Sequence, residues 1–317
     1  MRVKIEEISY EFGSNSENLD LLKISNPDWD IEKILNTTGI NNRHCSTDDE
    51  TALDLAVEAA KKLEMQMDDV DLLLFVTQSP EYILPTTACI AQDRLGLSKN
   101  IAAFDINLGC SGYVYALSVV GSMMESNQCS KALILCGDTY TKYISINDRT
   151  SRPLFSDAGS ATLVTKSKND NKIGPFIYGT DGSGADNLIV RNSASKREST
   201  KTKDLYMNGA EVLLFTMANV PNGVNQLLNK ASISFEDIDY FLFHQASKVV
   251  MNNITRKLNI DEKKFLTNYQ EHGNTVSCTI PILLKQKIDE GIVNRGNKLM
   301  LFGFGVGYSY GACVIDY

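Results

Sequence analysis

The stretch Ala102-Ala103-Phe104-Asp105-Ile106-Asn107-Leu108-Gly109-Cys110-Ser111-Gly112-Tyr113-Val114-Tyr115-Ala116-Leu117 reads as a short apolar strand running through a Gly-Cys-Ser-Gly turn into a helix of small and apolar residues. Glycines on both sides of the turn let the backbone bend sharply. Cys110 therefore falls near the first turn of the helix, where unpaired N–H groups and the positive end of the helix dipole favour a thiolate. Such a setting lowers a thiol pKa from about 8.5 to roughly 3.5–7.5, and the same amides are ready donors to an oxyanion. The competing reading is a buried structural cysteine at a strand–helix junction, and this one residue does not choose between them.

The chain around this turn has 317 residues, 43% of them hydrophobic, enough to bury a large core in one big domain or two of half that size. No run approaches the roughly 18 apolar residues of a membrane span, and Met1–Glu7 lacks the apolar core of a signal peptide, so a cytoplasmic protein is expected. Seven cysteines with no C-x-x-C pair argue against a disulfide framework and a zinc cluster. A net charge of −8 disfavours nucleic-acid binding, which needs a basic face to displace counterions.

Helical and strand patterns alternate along the first half. Val3–Ile8 is strand-like, a polar stretch runs to Trp29, and Thr37–His44 punctuates like a loop. Thr51–Met65 has helical spacing, Asp69–Thr77 is a near-continuous apolar strand, 86–95 is helical, Ile101–Ile106 a strand, 111–126 a helix, and Ala132–Cys136 another buried strand. Strands without polar alternation, separated by helices, predict a mostly parallel sheet covered on both faces.

The second half repeats this order in letters. Asp69-Val70-Asp71-Leu72-Leu73-Leu74-Phe75 lines up with Asp237-Ile238-Asp239-Tyr240-Phe241-Leu242-Phe243 at an offset of about 168 residues, and Lys131–Leu135 matches Lys298–Phe302 at nearly the same offset. Two duplicated halves follow, 1–166 and 167–317. The polar run Arg191–Lys203 reads as a surface loop between them. In the second half His244 ends the strand Tyr240–Phe243, and Asn274 follows the strand-like Phe265–Tyr269, so both fall at strand ends where α/β sheets build their crevices. His44 and His272 carry no catalytic assignment, and the three histidines lack helical ligand spacing for a metal.

Taken together, Gly-Cys-Ser-Gly, His244-Gln245-Ala246, Gly273-Asn274-Thr275 and Phe304-Gly305-Val306-Gly307 resemble ketoacyl-ACP synthase III, a family of the thiolase fold. Leu84-Pro85-Thr86-Thr87-Ala88, Asp148-Arg149, Phe155–Ala161 and Asn208–Val212 fit the same pattern, so the resemblance covers essentially the whole chain. It implies an α/β thiolase fold of two duplicated halves, with mostly parallel sheets in αβαβα layers. The implied reaction transfers an acyl group from a CoA or carrier-protein thioester to Cys110. Decarboxylative Claisen condensation with malonyl carrier protein then follows, with no cofactor beyond the thioester substrates.

In this scheme thiolate serves as both nucleophile and leaving group. His244 and Asn274 offer neutral N–H groups to the enolate oxygen, and a neutral pair avoids stabilising the carboxylate that must leave. The resemblance places the oxyanion hole at the amides of Cys110, Val306 and Gly307. It assigns substrate contacts to Arg149, Gly209, Phe304, Ser247 and Leu84, the last closing the partner's pocket in a homodimer. Carrier docking falls to the helix after His244. Val250, Ile254 and Leu258 form its buried stripe, which puts Lys248 and Arg256 outward and Lys257 near the boundary.

The chain departs from the family where adenine is usually held: the Trp and Arg positions before Thr38-Gly39-Ile40 read Lys33 and Thr37, and Trp29 is out of register. Ser247 also replaces the usual Asn. The loop at 304–307 has no cysteine, against a thiolase, and Glu81 is out of register for a hydroxymethylglutaryl-CoA synthase. A non-decarboxylating acyltransferase of the same fold, or a catalytically inactive binding paralogue, is the alternative.

Overall fold

The structure, a computed structural model, describes residues 1–167, 172–199 and 201–317. Strands β1 (Val3–Phe12), β2 (Leu72–Val76), β3 (Ala102–Ile106), β4 (Lys131–Asp138) and β5 (Ala158–Lys166) form one sheet in the order β1-β5-β4-β2-β3. β2 pairs parallel with β3 and β4, whereas β5 runs antiparallel to β4 and β1, so one strand opposes the other four. A second sheet contains β6 (Lys172–Thr180), β7 (Tyr240–Phe243), β8 (Lys298–Gly305) and β9 (Ser309–Asp316) in the order β7-β8-β9-β6, with β9 opposing the rest. In topology β6, β9, β8 and β7 repeat β1, β5, β4 and β2. A parallel bridge between Phe241 and Phe265 marks the place of β3. The two sequence matches fall on the equivalent pairs β2/β7 and β4/β8.

Alternation along a strand sends neighbouring side chains to opposite faces, and both faces here are covered. Leu72 and Leu74 of β2 join Leu299 and Leu301 of β8 in a core around two central helices, α2 (Gly112–Glu125) and α5 (Thr279–Asp289). Leu73 and Phe75 point the other way, onto α1 (Ala52–Lys61), whose start is fixed by a capping box between Thr51 and Asp54. On the far side, Met300 and Phe302 of β8 pack against Val220, Val224 and Leu227 of α3 (Gly209–Ala231) and Met251 and Ile254 of α4 (Lys248–Leu258). The layers are helix, sheet, helix, sheet, helix.

Four local expectations change. The polar stretch before Trp29 holds a short strand, Asn15–Asn18, and a helix, Leu19–Ser25. The loop-like 37–44 splits between the end of a helix, Ile31–Thr38, and a strand, Asn42–Cys45. Caps explain both helices, since Asn18 and Asp30 accept hydrogen bonds from backbone N–H groups at their starts. Phe265–Tyr269 makes only the single bridge at Phe265, and Tyr269 opens a four-residue helix. The run Arg191–Lys203 does not join the halves: it links Leu188–Val190 to its antiparallel partner Leu205–Met207, with Arg191 paired to Asp186 and Glu198. Polarity marks a surface turn without showing which elements it connects. Thr200 of that run, and 168–171 in the stretch 167–317, lie outside the described residues. Among the described residues no helix is long and apolar enough to cross a membrane.

Candidate active site

The five residues between β3 and α2 form a tight turn in which the Gly112 amide donates to the Gly109 carbonyl at 2.8 Å. This sets Cys110 against the end of β8 in the other half. A Cβ at Gly303 would lie 2.5 Å from the Cys110 carbonyl oxygen, and one at Gly305 would lie 3.0 Å from Cys110 Sγ. Glycine at these two positions is therefore what lets the second sheet reach the sulfur.

His244 directly follows β7, where its amide donates to the Phe302 carbonyl at 2.8 Å. Its Nδ1 lies 2.7 Å from Thr279 Oγ1, and the Phe304 ring meets it edge-on at 5.4 Å. Burial pushes the imidazole down to about 3, so His244 is neutral at physiological pH.

Asn274 is clamped to the first half: its amide donates to Leu154 O and its carbonyl accepts from the Ser156 amide, both at 2.9 Å. Gly273, at φ +62°, makes the bend, and a Cβ there would come within 2.8 Å of Ser156 Oγ. The side-chain oxygen Oδ1 accepts from the Val276 amide at 2.9 Å, which leaves the Nδ2 hydrogens for the cavity.

One cavity of about 110 Å³ has Cys110, His244 and Asn274 in its wall. Phe304, Val306, Ser247 and Gly209 line it too. Gly307 is not among its lining residues. Arg149 is exposed and outside it, and Leu84 is 79% exposed. Trp29 is only 5% exposed, while Lys33 and Thr37 are exposed.

The sulfur departs from expectation. Burial, with a smaller push from the Asp138 charge, raises the Cys110 thiol to about 12, although its own amide and that of Val306 donate toward it and pull the other way. The helix start alone does not outweigh the loss of water around a residue only 7% exposed. Asp138, at the end of β4, was not singled out from the sequence; a carboxylate closing an otherwise apolar strand was its signal. Phe155, the first residue of a motif the resemblance had picked out, lines the cavity too, as do Tyr140 and Leu154, which nothing in their letters marked.

The helix α4, expected to dock the carrier protein, also differs in part from that expectation. Ile254 and Met251 are buried, but Val250 and Leu258 are only half-buried. Arg256 and Lys257 are exposed, with Lys257 Nζ donating to the Met217 carbonyl at 2.9 Å. Lys248 is half-buried, its Cβ 2.7 Å from where a Cβ on Gly39 would sit. The helix Ile31–Thr38 packs beside α4 and takes Lys248 off the fully solvated face. Among the described residues no group of three His, Cys, Asp or Glu side chains could hold a metal ion; His44 and His272 pair with each other at 3.4 Å.

Comparison with known proteins agrees with this geometry. Residues 104–182 match the model of 3-oxoacyl-[acyl-carrier-protein] synthase III, and 228–317 match that of its C-terminal part. The chain belongs to the 3-oxoacyl-[acyl-carrier-protein] synthase III family. It is 37% identical over 293 residues, 90% of each chain, to the beta-ketoacyl-[acyl-carrier-protein] synthase III of Clostridium perfringens. The Clostridium novyi relative is 33% identical over 326 residues and 99% of each chain. Among solved structures, a 3-oxoacyl-(acyl-carrier-protein) synthase III shares 40% identity over the whole of both chains with a TM-score of 0.95. A 3-oxoacyl-(acyl-carrier protein) synthase of Burkholderia xenovorans LB400 shares 32%, covering 99% of this chain and 94% of that one, also at 0.95. As a synthase III the chain is a thiolase-fold condensing acyltransferase of fatty acid biosynthesis.

Proposed function

We propose that Cys110 is the acyl carrier of this condensing enzyme and that His244 and Asn274 hold the enolate. The observation that carries this is the shared cavity, where sulfur, a neutral imidazole and a free carboxamide N–H₂ meet. In the first half-reaction the Cys110 thiolate attacks the carbonyl of an acyl thioester, and the donor thiol leaves. The amides of Cys110 and Val306 face the sulfur and are suited to the oxyanion formed there, with Gly307 supporting the loop behind Val306. In the second, malonyl on a carrier protein loses CO₂. The enolate oxygen is held by His244 and Asn274, the enolate carbon attacks the acyl carbonyl, and Cys110 leaves as thiolate and regains a proton. Phe304, buried against His244, keeps the departing carboxylate poorly hydrated.

The donor thioester is carried on CoA or on a carrier protein. The exposed Lys33 and Thr37 and the buried Trp29 offer no aromatic face for adenine, which favours the carrier protein. The acidic carrier docks on Arg256 and Lys257 with Lys248 at the edge, a local positive face on a protein of net charge −8. Gly209 and Ser247 border the pantetheine path, and Arg149 flanks its mouth. Residues 1–166 and 167–317 act as duplicated halves, the first bringing sulfur and the second the enolate donors. The enzyme works in the cytoplasm as a homodimer, with the exposed Leu84 covering the partner's acyl pocket, and needs no metal or organic cofactor.

The test is to expose the protein to a panel of acyl-CoA and acyl-carrier thioesters and read the intact mass. One acyl adduct, absent from Cys110→Ala, is expected, and an adduct that persists in that variant overturns the covalent scheme.

A further inference from the structure

A neutral imidazole carries one hydrogen, and the partner of one ring nitrogen decides which atom holds it. In His244 the inner nitrogen, Nδ1, faces Thr279 Oγ1 at 2.7 Å, so Nε2 is left for the cavity. The Thr279 hydroxyl also has a single hydrogen and two acceptors within reach: Nδ1, and the Val276 carbonyl at 3.2 Å. Hydrogen bonds from hydroxyls to oxygen cluster at about 2.5–3.0 Å, so the carbonyl is the poorer acceptor of the two. We propose that Thr279 is the positioning residue that donates to His244 Nδ1 and thereby fixes the ring as its Nε2–H tautomer, the form able to donate to an enolate oxygen.

The neighbourhood fits this assignment. Thr279 is 2% exposed at the first position of α5, so no water competes freely for its hydroxyl. Val276 holds φ at +54°, a left-handed conformation that is costly for a β-branched residue. That conformation turns its amide to Asn274 Oδ1, which aims Nδ2 at the cavity. Three residues on, Thr279 does the corresponding work for the ring. The Val276 backbone carbonyl is itself within hydrogen-bonding reach of the imidazole and favours its protonated form. It is thus the waiting acceptor for an Nδ1–H: remove the Thr279 hydroxyl and the hydrogen moves to Nδ1, leaving a bare lone pair on Nε2 facing the developing negative oxygen.

The inference rests on the enolate reading above, and its test separates the two. The full-length protein labelled with ¹⁵N-histidine is examined by NMR; only three histidines need assignment. The wild type should show His244 protonated at Nε2, and Thr279→Val should show it protonated at Nδ1. Thr279→Val should slow decarboxylation of the malonyl carrier substrate by about 10²-fold, the usual effect of losing one oxyanion donor, while acylation of Cys110 stays within about twofold of wild type. Thr279→Ser, which keeps the hydroxyl, should restore both the tautomer and the rate. An Nδ1-protonated His244 in the wild type overturns the proposal even if the valine variant does not fold, and so does normal decarboxylation by Thr279→Val. Asn274→Ala is measured alongside. If it loses decarboxylation while Thr279→Val keeps it, the tautomer assignment alone falls; if it too decarboxylates normally, the enolate reading falls and this inference with it.

Discussion

Two cysteines stand at the starts of the two central helices and behave differently. Cys110 lies two residues before α2 and Cys278 one before α5, at equivalent places in the duplicated halves. Both are buried beside the Asp138 charge, and in both burial raises the thiol. Cys278 is wholly enclosed and its Sγ donates to the Ala158 carbonyl at 3.3 Å. Cys110 faces the cavity, with the Val306 amide from the other half turned toward it. A helix start, then, does not by itself tell the two cysteines apart; an opening to the cavity and a second amide carried just past β8 do, and they are why Cys110 is the one proposed as nucleophile.

The connections that precede the two helices differ in the same sense. Nine positions separate Ala103, opposite Leu73 of β2, from the first residue of α2; fourteen separate Phe265, opposite Phe241 of β7, from the first residue of α5. The short connection holds sulfur at the helix end. The longer one carries Gly273 and Asn274 across to the first half, where Leu154 and Ser156 clamp them. Duplication supplied the frame, and the extra length let the second copy deliver a different group to the same cavity.

The largest effect expected from this comparison is all-or-none. Cys110→Ala should show no acyl adduct by intact mass, while Cys278→Ala should acylate like wild type and lose only stability, roughly 1–3 kcal/mol by denaturant unfolding. A folded Cys278→Ala protein without the adduct would break the contrast.

Next in size is the contrast between connections. Asn274→Ala should lower malonyl decarboxylation by about 10²–10³ and leave Cys110 acylation intact, because it removes a donor to the enolate alone. Equal loss in both half-reactions, measured separately, would mean that the clamp rather than the carboxamide had failed.

The smallest effect concerns the carboxylate shared by both thiols. Asp138 accepts from the Gln78 amide at 2.8 Å and from Ser277 Oγ at 2.5 Å, and burial pushes it up to about 7. Since this pKa lies above that of an unfolded aspartate, its favourable contribution to stability is full below about pH 4 and is lost as pH rises through about 7. Its negative charge, and hence its push on Cys110, exists mainly above that pH. Asp138→Asn should therefore speed iodoacetamide alkylation of Cys110 a few-fold at pH 8 and hardly at all at pH 6, with Cys278 unreactive at both. A pH-independent change would show that the substitution had only loosened the site.

Much of the frame was legible from letters because it follows from short-range regularity. Unbroken apolar runs such as Leu72–Val76 demand cover on both faces, and the recurrence of Asp69–Phe75 as Asp237–Phe243 announces a second sheet of the same order. His244 could be proposed because it directly ends such a run and Cys110 because a short turn joins it to one, whereas Asn274 was reached through the strand-like Phe265–Tyr269, which the structure reduces to a single bridge. The capped helices before residue 45 were missed because their apolar faces are short, and a cap such as Asp30 has meaning only once the turn after it exists.

What the sequence by itself determined was the alternation of buried strands and helices after residue 50 and the doubling of the chain, and it offered Cys110, His244 and Asn274 as candidates, all from periodicity and from backbone freedom at glycine. Only the tertiary structure decided which atoms those residues present. Approach of β8 through Gly303 and Gly305 brings a second amide toward the sulfur, Val276 turns the Asn274 carboxamide, Thr279 meets the inner nitrogen of His244, and burial raises the thiol that the helix start was expected to lower. Each of these depends on contacts between segments far apart in the chain, where desolvation and hydrogen-bond partners outweigh local preference and leave no periodic trace in the letters.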